Sequence, residues 1–213
     1  GGEKDRFQSW MLARLCAALI RGLEKEGLLA TQPNGIASIA GEAFGPKVEK
    51  TEIEKVAEAY EESYKAPAKA IDDSRVPSVE DFKDALEDLS ESLKIERFVF
   101  LIDEAAHIFL PEQQRQFFTL FRDLRSHCLV CNAAVYPGVT TFGETFQPSH
   151  DATMLDIDRD VLDDGYISHM REIVQKQAEA SIQKAITDRG QNFAILAYAA
   201  SGNPRLLLKT LAD

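Results

Sequence analysis

The stretch FVFLIDEAAH, residues 98–107, runs from five large apolar residues straight into two carboxylates, Asp103 and Glu104. A short apolar run bounded by polar residues is typical of a buried strand, and strands of a parallel sheet are apolar throughout because both faces are covered. Ligands of such sheets bind beyond the carboxyl ends of the strands. We therefore expect a buried parallel strand over 98–102, with the two acids at the edge where a ligand binds.

The adjacent acids favour metal-dependent phosphoryl chemistry. An ionised carboxylate at a dry strand end is costly unless it is paired or bound to a metal, and a divalent cation would remove that cost. Asp103 would hold Mg²⁺, directly or through water, and Glu104 would orient or deprotonate an attacking water. Four apolar residues followed by Asp-Glu form the Walker B pattern of P-loop ATPases. The alternative is a strand end at which Asp103 or Glu104 caps the following turn.

Helices and strands alternate up to about residue 160, and only helices follow. Apolar periodicity and turn residues predict helices over 5–26, 51–66, 78–94 and 111–126, strands over 98–102, 128–136 and 152–158, and helices from about 165 onward. Ser78, with Asp81 three residues later, resembles an N-cap arrangement, and Pro111 suits a first helical turn. This order predicts an α/β layer followed by a small helical domain.

Composition excludes several classes of function for this segment. The chain has 213 residues, with 24 Lys and Arg against 35 Asp and Glu, a net charge of −11. Duplex binding is dominated by cations that neutralise phosphates, so this segment is expected to be a poor DNA binder by itself. There is no apolar run of the roughly 18 residues that a membrane span needs and no signal-like N-terminus. With three cysteines, we expect a soluble protein of a reducing cytoplasm.

Near the end of the chain, GNPRLLL (202–208) has the features of a helix start. Asn203 is a good N-cap and Pro204 fits the first helical position. Arg205 then lies in the first turn, where the helix dipole disfavours a cation. A nearby anion, such as a nucleotide phosphate, would offset that cost. The alternative is a salt bridge between Arg205 and one of the many acids.

FVFLIDEAAHI, CLVCNAAVYPGVT (128–140) and GNPRLLL together resemble the AAA+ superfamily of P-loop ATPases, and within it the branch of origin-recognition-type and STAND-type ATPases. The resemblance covers about residues 97–213 and rests on motif order. It implies ATP and Mg²⁺ as cofactors, Asp103 as the Mg²⁺-associated acid, Glu104 as the catalytic base and Arg205 as the sensor-2 arginine on a helical lid.

The resemblance leaves two further assignments open. Asn132 is the best candidate for the polar sensor-1 residue, with Tyr136 or Thr140 as alternatives. Arg122 or Arg125, near the end of the helix after Walker B, would serve as an arginine finger acting on a neighbouring subunit. The alternative for these arginines is an ordinary solvated helix surface.

The sequence departs from the family in one important respect, because it contains no GxxxxGK[ST] loop. The stretch 41–47, GEAFGPK, has a proline where an amide should donate to phosphate and no hydroxyl after the lysine. We therefore expect a partial P-loop ATPase that begins inside the core and stops within the lid. The expected domains are an α/β core over 1–159, with a helical insertion around 42–94, and a helical lid over 160–213.

Two other motifs are assigned no chemistry. Cys128 and Cys131 form a CxxC on a predicted strand, where residues three apart point to opposite faces, so their sulfurs are not expected to converge on a metal. DEAAH differs from the DEAH of helicases by an extra alanine. We interpret His107 as a packed or surface residue at a helix start rather than as a metal ligand.

Two functions follow from these observations. The first is an ATP-hydrolysing switch or motor subunit that works as a homo-oligomer or with a partner protein. Its origin-recognition likeness implies DNA as a partner through regions absent from this chain, and its STAND likeness implies a signalling or defence switch. The alternative is a non-catalytic scaffold or degenerate ATPase, for which the acidic region 42–94 would be a protein-docking surface.

Overall fold

The chain folds as two compact units, Gly1–Thr153 and Met154–Asp213. The structure, a computed structural model, describes residues 3–41, 50–65, 71–105, 110–136, 138–157 and 159–212. Both units are mostly helical, and the first also contains a small parallel sheet, which is compatible with the predicted α/β class. Each unit has a hydrophobic core of its own.

The elements of the first unit follow the predicted order of helices and strands. They are α1 (Glu3–Lys25), a short 3-10 helix (Leu28–Thr31), α2 (Ile36–Ala40), α3 (Glu52–Lys65), α4 (Val79–Leu93), β1 (Phe98–Ile102), α5 (Pro111–Asp123), β2 (Leu129–Ala133) and α6 (Pro148–Asp151). The capping box predicted at Ser78 and Asp81 starts α4, and Pro111 begins α5. None of the helices in the described residues combines the length and apolar character that crossing a bilayer requires.

The second unit is helical, as its apolar periodicity predicts. It contains α7 (Tyr166–Gln177), α8 (Ala180–Asp188), α9 (Gly190–Ala199) and α10 (Pro204–Ala212). The strand predicted over 152–158 is wrong, because residues 152–157 form no strand. Leu155 and Ile157 are 80% and 86% exposed, so their alternation with polar residues does not reflect a buried sheet face. Residue 158 lies outside the described residues.

The sheet of the first unit pairs β1 with β2 in parallel. Phe98 lies opposite Leu129, and Ile102 lies opposite Ala133. The ladder continues at both ends, where the Phe98 N–H donates to the Cys128 carbonyl at 2.7 Å and the Ala134 N–H donates to the Ile102 carbonyl at 2.9 Å. The two carboxyl ends therefore meet at the same edge, as the sequence predicts for a parallel pair.

The expectation that β1 is covered on both faces is wrong. Phe98 and Phe100 are buried, whereas Val99 and Leu101 are 56% and 77% exposed. In the described part of the chain the sheet has two strands, and the helices of the first unit cover one face of it. We name the other face the open face. It carries Val99 and Leu101 from β1, with their register partners Val130 and Asn132 from β2.

The covered face of the sheet belongs to a core built largely by α1 and α4. Phe82 of α4 lies 6.2 Å from Phe100 of β1, measured between ring centroids. One face of α1 is buried at helical spacing and contributes Phe7, Met11, Leu12, Leu15, Cys16, Leu19, Ile20 and Leu23. This periodicity is the signal that predicts the helix. Within the part of the chain that the structure describes, the core therefore contacts β1 from one side.

A cluster of aromatic rings fixes the chain beyond β2. Phe118 of α5 is buried, and its ring centroid lies 4.7 Å from that of Phe142 and 5.2 Å from that of Phe146. Aromatic pairs at such distances contribute beyond the area that they bury. On the same helix, Phe117 is buried and Phe121 is half-buried. The segment that follows the sheet edge is thus anchored to the crossover helix α5.

All three cysteines are free thiols. Cys128 is fully buried just before β2, and Cys131 lies within the strand opposite Phe100. Burial raises the pKa of the Cys131 thiol to about 12. Cys131 is thus a strand residue, as interpreted from the sequence, and Cys128 immediately precedes the strand.

Three arginines of α1 contact α3, which runs antiparallel to it. Arg6 donates to the Ser63 hydroxyl. Arg14 forms a 3.3 Å ion pair with Glu61. Near the other end of α1, Arg21 Nε donates to Glu54 Oε1 at 2.7 Å.

Glu54 is the least exposed acid of these pairs, and it also caps its own helix. Its Oε2 accepts hydrogen bonds from the Thr51 N–H at 2.9 Å and from the Thr51 hydroxyl at 3.0 Å. Burial by itself raises the pKa of Glu54, but the bonds from Thr51 and Arg21 outweigh it and hold the pKa below 4.5. The folded state therefore binds the proton of Glu54 more weakly than the unfolded chain does.

Glu54→Gln is expected to lower the free energy of unfolding at pH 7 by about 1–3 kcal/mol, since it weakens charge-assisted bonds in a buried place. Because the folded pKa is depressed, this contribution is fully present above the unfolded pKa and is lost as the pH falls through the folded pKa. Urea denaturation of both proteins should therefore show a difference at pH 7 that shrinks below about pH 4.5.

Glu58→Gln is the matched control on the same helix. Glu58 pairs with Lys50, and both side chains are at least 40% exposed, so its replacement should change stability by no more than about 0.5 kcal/mol. A loss at Glu54 that is constant with pH, or equal to the loss at Glu58, would contradict the role assigned to the Glu54 carboxylate.

Candidate functional site

The carboxyl-end edge of the β1–β2 sheet brings two of the predicted site residues close in the fold. Asp103 follows β1 directly, and Asn132 lies one residue before the end of β2, opposite Leu101. Side chains alternate along a strand, so the Val99–Leu101 face continues to Asp103. Asp103 and Asn132 are both exposed. The sheet thus places a carboxylate and a carboxamide on the same face at the same edge.

The backbone holds the two acids in a defined turn. The Glu104 N–H donates to Asp103 Oδ1 at 2.8 Å, and Glu104 has a φ of 55°, in the left-handed region that few non-glycine residues adopt. The next residue, Ala105, is fully buried and anchors the turn. The contact is of the kind that the turn-capping alternative predicts, and among the described residues Oδ2 of Asp103 accepts no hydrogen bond. Residues 106–109, including His107, lie outside the described residues.

The prediction that Asp103 and Glu104 lie at a dry strand end is wrong. Asp103 is exposed and Glu104 is half-buried, and none of the described residues forms a layer over the open face of the sheet. The penalty for an ionised carboxylate in an apolar environment is therefore small here. A need for charge compensation does not by itself argue for a metal at this edge.

The donor set nevertheless fits Mg²⁺ bound together with a phosphate ligand. Magnesium is usually held by one or two carboxylates, with substrate oxygens and waters completing its coordination. Asp103 offers an accessible carboxylate oxygen, and Glu104 offers a second carboxylate beside it. Among the described residues, no three His, Cys, Asp or Glu side chains cluster as a metal site, so this edge fits a shared ion rather than one caged by protein alone.

Of the three sensor-1 candidates, the geometry favours Asn132. The Thr140 hydroxyl donates to the Tyr136 carbonyl at 2.8 Å and accepts from the Tyr136 N–H at 3.2 Å, which closes a local turn. Tyr136 is 47% exposed and lies three residues beyond the end of β2. Asn132 is the one of the three that lies within the strand, on the face that continues to Asp103.

The two arginine-finger candidates differ in their contacts. Arg122 is held on α5, since Nε and Nη2 contact Asp123 Oδ1 at 2.9 and 2.8 Å and Nη1 donates to the Thr145 carbonyl at 2.6 Å. Arg125 is 63% exposed, and the ion pair that it forms among the described residues, with Asp151, is 4.0 Å long. Arg125 therefore has the more available guanidinium.

Arg205 lies in the second unit, in the first turn of α10. Asn203 Oδ1 accepts from the Leu206 N–H at 3.1 Å, which confirms the predicted N-cap, and Pro204 begins the helix. The Arg205 side chain is exposed, and no carboxylate among the described residues of this unit pairs with it. The predicted alternative of an intramolecular salt bridge is not what these residues form. A cation is left at the helix end that favours anions.

The sequence gives no sign of the residue that holds the turn before α10. The Tyr166 hydroxyl donates to the Ala197 carbonyl at 2.5 Å and accepts from the Gly202 N–H at 2.9 Å. Tyr166 is 1% exposed at the start of α7. An aromatic residue at a helix start predicts burial, but the two partners of its hydroxyl lie 31 and 36 residues away and leave no local pattern.

The second unit also contains a shallow depression of about 360 Å³. It is lined by Ile157, Arg159, His169, Glu172, Ile173 and Lys176. The Lys176 ammonium is already paired with Glu172 at 2.7 Å. None of the residues predicted to act on a nucleotide lines this depression.

Comparison with known proteins adds no relative. No family model matches the chain, and neither the curated proteins nor the solved structures contain a match to it.

Glu104→Gly is expected to leave the free energy of unfolding unchanged or to raise it by up to about 1 kcal/mol, because glycine adopts a positive φ without the cost that other residues bear. Urea denaturation measures the effect. Lys94→Gly is the control, since Lys94 has a φ of 56° at the end of α4, away from the acid pair, and should respond alike. A loss above about 1 kcal/mol at Glu104 alone would mean that its side chain is needed for folding.

Proposed function

We propose that this chain is the part of an AAA+-type ATPase that contains Walker B, sensor 1 and the lid, and that it acts as a subunit of an ATP-driven switch or motor. The observation that carries the proposal is the shared edge and shared face of Asp103 and Asn132 on a parallel strand pair. In P-loop ATPases, catalysis is largely positioning and charge stabilisation around a metal-bound phosphate. A carboxylate and an amide at one sheet edge suit that task.

Each residue has a role that its position supports. Asp103 would hold Mg²⁺, directly or through water, with the oxygen that the Glu104 N–H leaves free. Glu104 would accept a proton from the water whose oxygen bonds to the terminal phosphorus of ATP. Asn132 would donate its amide hydrogens to phosphate oxygen or to that water. Arg205 would offset phosphate charge from the lid, where its position in the first turn of α10 favours an anion.

ATP would supply the phosphoanhydride bond that breaks, and Mg²⁺ would neutralise charge on its phosphates. The proposal requires a loop that binds the β- and γ-phosphates, and the 213 residues contain no GxxxxGK[ST] that would provide it. The open face of the sheet and its unpaired edges leave room for the strands of a larger core. DNA or a signalling partner would be contacted by other regions.

The open face also favours the second candidate function, a non-catalytic scaffold. Val99 and Leu101, both more than half exposed, are side chains of the kind that protein partners cover. The acidic region 42–94 was the docking surface expected from sequence, and parts of it, 42–49 and 66–70, lie outside the described residues. A scaffold needs the sheet but has no use for the carboxylate of Glu104.

Glu104→Gln separates the two functions. In the full polypeptide that carries these residues, the variant is expected to lower ATP turnover by about 10²–10⁴-fold, the contribution typical of general acid–base catalysis. Binding of a slowly hydrolysed ATP analogue should persist. Asp103→Ala should abolish the Mg²⁺ dependence of that binding, whereas Asp84→Ala, an exposed acid of α4, should leave both quantities unchanged. A wild-type protein without turnover or analogue binding would favour the scaffold.

Calorimetry of the 213-residue chain with the same analogue tests whether the residues that bind the phosphates lie within this chain. Binding that Asp103→Ala removes would place them within this chain, in a segment that does not resemble a P-loop. Binding that appears only in the full polypeptide would place them outside it.

A further inference from the structure

The connection between α9 and α10 has an unusual backbone conformation, which surrounding contacts must stabilise. Ser201 and Gly202 have φ values of 47° and 79°, two successive residues in the left-handed region. Ser201 lacks the freedom of glycine there, which costs roughly 1 kcal/mol or more. A Cβ on Gly202 would lie 3.0 Å from the Arg159 carbonyl oxygen, so the turn also lies close to another main-chain segment. Such strain persists only where surrounding contacts determine the conformation.

The Tyr166 hydroxyl provides that contact. It bonds to the Ala197 carbonyl in the last turn of α9 and to the Gly202 N–H in the connection. Carbonyls in the last turn of a helix lack intrahelical partners, and a buried, unpaired amide is costly. One hydroxyl thus satisfies a helix end and the strained turn together. Since Tyr166 begins α7, its hydroxyl links α7 to the end of α9 and to the connection that leads into α10.

The geometry points to Tyr166 as the positioning residue for Arg205, an inference that rests on the proposed function. Three features restrict the backbone between Gly202 and Arg205. Asn203 caps α10, and Pro204 has a fixed φ. Leu207, one turn after Asn203, is buried in the same core as Tyr166. Greater backbone mobility at Gly202 therefore increases the mobility of the first turn of α10. The backbone that carries Arg205, and with it the direction of the side chain toward the proposed anion, would then be less fixed.

The first test needs no nucleotide. Tyr166→Phe keeps the ring and removes the hydroxyl, and amide hydrogen exchange of the full chain should then show the Gly202 amide exchanging about tenfold faster, the effect of one net hydrogen bond. Amides of Val174 and Phe193, in the core of the unit, should change much less. Tyr198→Phe is the matched control, since Tyr198 lies against Tyr166 at 5.4 Å between ring centroids and is 52% exposed. Unchanged exchange at Gly202 in Tyr166→Phe overturns the inference.

The second test asks whether Tyr166 acts through Arg205. The affinity of the full polypeptide for the slowly hydrolysed ATP analogue with Mg²⁺ should fall in Tyr166→Phe and in Arg205→Ala. The double variant should be no weaker than Arg205→Ala alone, because non-additive effects mark residues that act together. A role in stability alone would not produce this coupling. If the two substitutions lower the affinity by independent factors, or if Tyr166→Phe causes no loss of affinity, the positioning role is overturned.

Two further outcomes distinguish a failure of this inference from a failure of the proposed function. If Arg205→Ala leaves the affinity unchanged while Glu104→Gln still lowers turnover, the lid arginine and this inference fail but the proposed catalytic edge stands. If Tyr166→Phe does not fold, Asn203→Ala replaces it, since it loosens the same first turn by removing the cap. Asn203→Ala should then lower the affinity in wild type and have no further effect in Arg205→Ala, and additive losses would overturn the inference.

Discussion

The parallel pairing of β1 and β2 is the constraint on which the site depends. Two parallel strands need a crossover connection, and α5 provides it, anchored by the aromatic cluster around Phe118. The register then decides what meets at the edge. With Leu101 opposite Asn132, the carboxylate of Asp103 and the amide of Asn132 lie on one face, whereas a slip of one residue would turn Asn132 to the opposite face. The candidate site is therefore a consequence of register as much as of residue type.

Local signals in the sequence predicted local structure well. The apolar periodicity of α1, the capping box at Ser78, the proline at the start of α5 and the cap at Asn203 each depend on residues a few positions apart. Burial of both faces of β1 was predicted wrongly because it depends on a second layer, which the apolar character of Val99 and Leu101 cannot supply. The positive φ of Glu104 and the hydrogen bonds of Tyr166 arise from tertiary contacts, so no spacing in the sequence announces them.

The two parts of the candidate machinery are held by different physical means. Asp103 is oriented by the amide of its own neighbour, so its geometry is set within a single turn at the end of β1. Under the further inference, the first turn of α10, which carries Arg205, is held from a distance, through the Asn203 cap, the strained connection and the buried Tyr166 hydroxyl. The Asp103 carboxylate is held by the neighbouring N–H, whereas the start of α10 depends on a residue of another helix. A substitution in α7 is therefore expected to disturb the second arrangement and not the first.

The solvent environment of the two acids depends on whether another layer packs on the open face of the sheet. As the chain stands, water reaches Asp103 and weakens every charge interaction that it makes. A layer packed on Val99 and Leu101 would exclude that water, so the same carboxylate would bind a cation more strongly and would cost more to leave unpaired. Under the proposed function, covering the face and binding Mg²⁺ with a phosphate are therefore mutually reinforcing. On that proposal, a covering layer would convert an exposed acid into one that requires a bound cation.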